Sequence, residues 1–208
     1  MPADAQAFLD KYQADLARLE RKASLASWAA ATTGREEDYA AAAETYLAVR
    51  KLHSDRDTYQ QVQRLLRDAD RLLPLAARAL RLAELEFRRN QLPPEMLAQL
   101  VELSTEIEQS MSNFRAELDG QPRSNNDLLE LLRTENDSAK RQQAWEALKQ
   151  VGGVVGPKLV ELATLRNRAA ETLGFESFWH MRVHLQEHDP EQLLGIFDEL
   201  DRLSQGPK

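Results

Sequence analysis

A chain of 208 residues with a formal net charge of −7, 42% hydrophobic and 29% charged has a globular composition. Its length suits one helical domain or two small helical layers sharing a core, and its dispersed acidic charge disfavours nucleic-acid binding. With no cysteine it can form neither disulfides nor thiolate metal sites. No 18-residue apolar run offers a membrane span, and Met1–Gln6 lack the basic-then-apolar order of a secretory leader, so a cytoplasmic location is expected. Eight glycines are few for this length, helix formers dominate, and Val, Ile and Thr are sparse, so an all-α fold is expected.

Phe8, Tyr12, Leu16, Leu19, Ala23 and Ala26 fall three and four apart and predict one long first helix. Thr33-Gly34-Arg35-Glu36 has capping-box spacing and predicts a second helix burying Tyr39, Ala43, Tyr46 and Val49. Asp55 is placed to cap a third helix carrying Tyr59, Val62, Leu65, Leu66, Ala69 and Leu73; Pro74 should kink or break it before the pattern resumes through Leu82, Leu85 and Phe87.

Pro93-Pro94-Glu95 predicts a turn and a helix start. The next stripe runs from Leu97 through Leu100, Ser104, Ile107, Met111 and Phe114 to Leu118, with Asp119-Gly120 as its end. Residues 120–126 read as a surface loop and a boundary between two layers, 1–119 and 120–208. A short helix holds Leu128, Leu131 and Leu132. Thr134, with Asp137 three residues on, is expected to cap the helix of Trp145 and Leu148. Gly152-Gly153 and Gly156-Pro157 read as a linker before a helix burying Leu159, Leu162, Leu165, Ala169 and Leu173, which Gly174 would close in a left-handed cap. A helix from Phe175 to about Glu187 follows. Asp189-Pro190-Glu191-Gln192 then starts a last helix holding Leu193, Leu194, Phe197 and Leu200.

Chemical motifs are few. His180, His184 and His188 lie four apart, but the outer two are roughly 12 Å apart at ~1.5 Å rise per residue, too far for one ion. Position 181 is Met rather than a general-base Glu, and Asp189-Pro190 interrupts the helix directly after His188, so they read as a polar stripe. Cysteine and Gly-x-Ser-x-Gly nucleophiles are missing, and Val151–Gly156 lacks the Lys-Ser or Lys-Thr of a phosphate loop. Acidic residues read as surface pairs, such as Glu84 with Arg88, and Trp28, Trp145 and Trp179 as core or groove residues. Two readings stand open for Arg166-Asn167: hydrogen bonding to carbonyls at a neighbouring helix end, or a solvated flank. No catalytic, cofactor-binding or metal-ligating residue is assigned.

Trp145, Gly156-Pro157, Arg166-Asn167-Arg168-Ala169-Ala170, Gly174-Phe175 and Arg182 follow one another in an order that resembles the angiotensin-converting-enzyme (peptidyl-dipeptidase A) family of gluzincin-type zinc metallopeptidases, upstream of its zinc site. Ala26-Ser27-Trp28-Ala29 is more loosely similar to that family's first helix. Oligoendopeptidase F-like and thimet-like peptidases share a similar Arg-Asn-x-x-Ala-x-x-x-Gly-Phe pattern and are the second choice. The resemblance implies an all-helical array like the lid half of such enzymes, with zinc, the catalytic Glu and most peptide contacts in a following half. This sequence has no His-Glu-x-x-His and stops at Lys208. The chain is therefore expected to be the N-terminal, non-catalytic portion of a peptidyl-dipeptidase or oligopeptidase, inactive alone, with zinc only in the full-length enzyme. Its partners would be the missing C-terminal half and, through it, a peptide. Exposed lid surface would drive self-association of the fragment, and Arg182 would correspond to an anion-binding arginine. The alternative is a stand-alone helical interaction or scaffold protein of peptidase ancestry.

Overall fold

The computed structural model describes residues 3–206. Met1 and Pro2, where the leader reading begins, and Pro207 and Lys208 lie outside the described residues. The protein is all-α: ten α-helices and one two-stranded hairpin among the described residues. They are α1 (Ala3–Thr33), α2 (Glu36–Ser54), α3 (Arg56–Arg67), α4 (Pro74–Arg88), α5 (Pro94–Asn113), β1 (Ala116–Leu118), β2 (Gln121–Arg123), α6 (Asn125–Thr134), α7 (Ser138–Lys149), α8 (Val151–Thr172), α9 (Phe178–Leu185) and α10 (Pro190–Ser204).

Two compact units draw on non-contiguous segments. The first takes Met1–Ala17, Val49–Leu97 and Leu165–Lys208, the second Arg18–Ala48 and Ala98–Thr164. In the first, Ala5, Phe8, Leu9, Val62, Ala76, Leu80 and Phe87 form the core, so the first turns of α1 pack with α3 and α4. Asp55 caps α3 by accepting the Thr58 N–H, as its position predicts. Pro74 opens α4 at its first helical position, after a 3-10 turn at Ala69–Arg71. The missing N–H costs nothing there.

In the second unit the reading of the stripe after Pro94 needs correction. α5 stops at Asn113, and the chain turns into a hairpin with Leu118 paired to Gln121. Asp119 (φ 54°) and Gly120 (φ 72°) are both left-handed, as a two-residue hairpin turn with right-handed strand twist demands. Ala116 is buried on Leu128, Ala144 and Ala147, with Phe114 and Leu118 packed alongside. That period of two was hidden inside an apparent period of three and four. A smaller cluster joins Ala30, Tyr39 and Ala42.

Two caps differ from expectation. At the α1–α2 corner the Thr33 hydroxyl accepts the Arg35 N–H and donates to Asp38, while Gly34 takes φ 70°. Asp137, rather than Thr134, caps α7 by accepting the Ala139 and Lys140 N–H groups. The glycine-proline stretch is not a linker either: α8 runs unbroken through Gly152, Gly153, Gly156 and Pro157. Gly152 and Gly153 lie among the first four residues, whose N–H groups have no intrahelical acceptor, whereas Pro157, the seventh, removes one helical bond to the Gly153 carbonyl without breaking the helix.

Candidate functional site

Of the buried polar residues among the described residues, His53 and Asn90 lie in the first unit and Thr105 in the second. His53, in the last turn of α2, is only 3% exposed. The Tyr12 hydroxyl of α1 lies 2.9 Å from its Nε2, and the Phe87 ring of α4 meets the imidazole edge-on at 5.2 Å. Gln91 Nε2 donates to the His53 and Phe87 carbonyls. Burial pushes the imidazole down to about 4, the positive charge of Arg89 adds to this, and a backbone bond at Val49 opposes it. The ring is therefore neutral at pH 7.

One turn earlier on α2, Arg50 Nε donates to Asn90 Oδ1 at 2.9 Å, and the fully buried Asn90 donates in turn to the Glu86 carbonyl at 2.8 Å. Burial, then the charges of Arg89 and Arg166, pull the Arg50 guanidinium down to about 10, against the pull of Glu86. Among the described residues no buried side-chain nitrogen or oxygen lacks a hydrogen-bond partner. Tyr59 OH donates to Glu84 at 3.0 Å, and burial beside that carboxylate pushes the phenol up to about 12. Glu84 thus serves Tyr59, rather than making the surface pair expected with Arg88.

The corner between α8 and α9 holds the residues singled out in the sequence. α8 ends in a Schellman motif: Gly174 at φ 82°, with Phe175 N–H on the Ala170 carbonyl and Gly174 N–H on the Glu171 carbonyl. Asn167 Oδ1 accepts the Phe178 N–H at 2.9 Å, at the first residue of α9, and Arg166 lies over the Phe178 ring at 5.2 Å. The helix-end reading is thus closer than the solvated one, with the polarity reversed: Asn167 satisfies an N–H, not a carbonyl. Ser177 completes the cap from its own helix, accepting the His180 N–H. Burial, then the charge of Arg182, lowers the Arg166 pKa, so Arg182, exposed on α9, shares one electrostatic neighbourhood with Arg166.

The three histidines have separate surroundings. His180 contacts the Ser177 hydroxyl at 2.9 Å and Glu176 at 3.4 Å. His184 packs on Phe175, with Arg88 above the same ring at 5.0 Å and 3.4 Å from His184 Nε2. His188 lies past the end of α9, which closes in a second Schellman motif around Glu187 at φ 63°. Arg78 of α4 grips both oxygens of that Glu187 carboxylate. Among the described residues no three His, Asp or Glu side chains come together as a metal site would require. Zinc, which the resemblance implies for the full enzyme, does not fit the residues present.

Correction is also due for the tryptophans: Trp28, Trp145 and Trp179 are all exposed, Trp28 at 72%. Trp145 carries the Lys149 ammonium 5.0 Å above its ring, one helical turn away. Sequence reasoning missed the Tyr12, Arg50, His53 and Asn90 network. Its one visible sign was His53 four residues after Val49 on the apolar side of α2.

No helix among the described residues is long and apolar enough to cross a membrane. No curated protein matches the chain. The family model described as angiotensin-converting enzyme, a peptidase family, matches residues 2–203. The match extends well upstream of the motifs after Trp145 and lends no support to the oligoendopeptidase F alternative. On that near-complete correspondence, the chain belongs to the angiotensin-converting-enzyme family of peptidases.

Proposed function

We propose that this chain is the N-terminal, non-catalytic helical portion of a cytoplasmic zinc metallopeptidase that hydrolyses peptides, as a peptidyl-dipeptidase or oligopeptidase. Residues 1–119 would supply lid helices and 120–208 a second helical layer. The observation that carries this reading is a family match over residues 2–203 in a sequence with no His-Glu-x-x-His. Zinc, its activated water and the peptide contacts belong to a complementary C-terminal half, the chain's principal partner. Arg182, beside the desolvated Arg166, is the contact offered to an anion. Without that half, exposed apolar side chains such as Leu25, Trp28, Leu73 and Leu75 would drive self-association.

The test is to read the coding sequence past Lys208. A His-Glu-x-x-His a few hundred residues downstream supports the proposal; an immediate stop codon favours a stand-alone interaction protein. Independently, metal analysis and peptide-cleavage assays on the purified 208-residue chain should show neither stoichiometric zinc nor turnover. Tight zinc with turnover would overturn the reading.

A further inference from the structure

Asp119 is the one aspartate or asparagine in the sequence that glycine follows. In that pair a backbone nitrogen can reach the preceding carboxyl carbon most readily, because glycine has no side chain to block a close approach. The structure adds three conditions. Both residues are exposed at the hairpin tip, and a Cβ added to Gly120 would meet nothing within 4 Å. Among the described residues no hydrogen bond or ion pair engages the Asp119 carboxylate, whereas those of Asp55, Asp137 and Asp189 accept helix N–H groups. The turn also closes a small ladder: β2 is exposed throughout, Pro122 offers no N–H, and only three residue pairs join the strands.

Strand β1 is better held. In a two-residue hairpin Leu118 and Gln121 exchange ladder hydrogen bonds, so the next pair, Glu117 with Pro122, turns its backbone groups outward. There Gln150 Oε1 accepts the Glu117 N–H and Gln150 Nε2 donates to the Glu117 carbonyl, each at 2.9 Å. Ala116 is buried on Leu128, Ala144 and Ala147. We infer that Asp119 is a site of spontaneous covalent modification, which converts to isoaspartate and thereby frees β2 from β1. When the turn opens, the Gly120 nitrogen attacks the Asp119 carboxyl carbon. A C–N bond forms, and the acid's hydroxyl leaves with the amide proton as water, giving a five-membered succinimide. Water then opens the ring; attack at the backbone carbonyl leaves a free α-carboxylate and a chain that runs through the side-chain carbons. No reactant beyond water is needed. The product carries one extra backbone carbon between two residues whose left-handed conformations set the register, so Leu118 and Gln121 no longer face each other. This inference goes beyond the peptidase reading and neither uses nor tests it.

The experiment ages the full 208-residue chain for weeks at physiological temperature and near-neutral pH. Peptide mapping by a mass-spectrometric fragmentation that distinguishes aspartate from isoaspartate then reads each site, and amide hydrogen exchange compares the modified fraction with fresh protein. Isoaspartate at position 119 should exceed that at any other aspartate or asparagine by about tenfold or more, with a minor species lighter by one water. In the modified fraction the Leu118 and Gln121 amides should exchange about tenfold faster, while the Glu117 amide, held by Gln150, and those of α6 and α7 keep their rates. Asp119→Asn keeps a residue that suits the turn and should give the same isoaspartate faster, since ammonia leaves the ring-closing step more readily than water. Position 119 left unmodified, more isoaspartate at another site, an Asp119→Asn chain that does not convert, or modified protein whose ladder amides exchange as slowly as in fresh protein would each overturn the inference.

Discussion

Acidification should weaken the first unit through one side chain, His53. In the unfolded chain its imidazole titrates near the ordinary ~6.5; folded, with 3% of the residue exposed, it titrates at about 4. Between those values the unfolded state binds the proton and the folded state does not, so stability rises with pH across the window and is lost as pH falls from 6.5 towards 4. A separation of about 2.5 units at ~1.4 kcal/mol each amounts to about 3 kcal/mol, of which about 2 kcal/mol is gone by pH 5. That is a large share of the 5–15 kcal/mol typical of a domain. Carboxylates titrate in the same region, so the reading must be a difference between two proteins. His53→Gln keeps a polar side chain but cannot titrate. Urea unfolding followed by circular dichroism at pH 7, 6 and 5 should show the native chain losing about 2 kcal/mol more than His53→Gln between pH 7 and 5. Equal pH slopes in the two proteins, or a steeper slope in His53→Gln, would refute the burial argument.

Gly34→Ala should cost roughly 2–3 kcal/mol: φ 70° is left-handed, and an added Cβ would lie 2.5 Å from Asn113 Oδ1, displacing a side chain that donates to the Gly34 carbonyl at 2.7 Å. Denaturant midpoints of Gly34→Ala, Asn113→Ala and the double variant should be clearly non-additive. Asn167→Ala removes the acceptor for the Phe178 N–H and should destabilise α9 by about 1 kcal/mol, read as faster amide exchange at its first turn with α5 unaffected. Absorbance at high pH should show Tyr59 ionising near pH 12, and Glu84→Gln, by removing the neighbouring carboxylate, should lower that value.

Local signals in the sequence led to the right structure where the physics itself is local. Asp55, Gly174 and Asp189 act within four residues of themselves, so cap and turn chemistry identified them. Asp119-Gly120 was equally local but ambiguous: a left-handed pair closes either a helix or a hairpin. The deciding fact was the pairing of Ala116 with Arg123, which the helical spacing from Leu97 onwards concealed. Glycine and proline at 152–157 looked like breakers because intrinsic propensity disfavours them, yet the helix persists. His53 stood on the apolar side of α2, but its partner Tyr12 could not be read along the chain, because the two stand 41 residues apart and meet only once the helices that carry them pack. The same holds for Asn167, whose polarity depended on which end of α9 it would meet.

Strongly shifted ionisations often mark catalytic clefts, and His53 and Arg50 would stand out in any search on that criterion. Here the surroundings argue for structure. The imidazole has Tyr12 on one nitrogen, aromatic rings against it and almost no accessible surface, so no substrate atom can reach it. Arg50 spends its Nε on Asn90, whose amide is itself held by a helix carbonyl. A proton-transfer role needs a reachable lone pair within about 3 Å of a reacting group, and this network offers none. What it does offer is directional fixation of α2 against the end of α4, which apolar contacts alone would leave free to slide. Substitutions at His53 or Asn90 should accordingly change unfolding midpoints and amide exchange first.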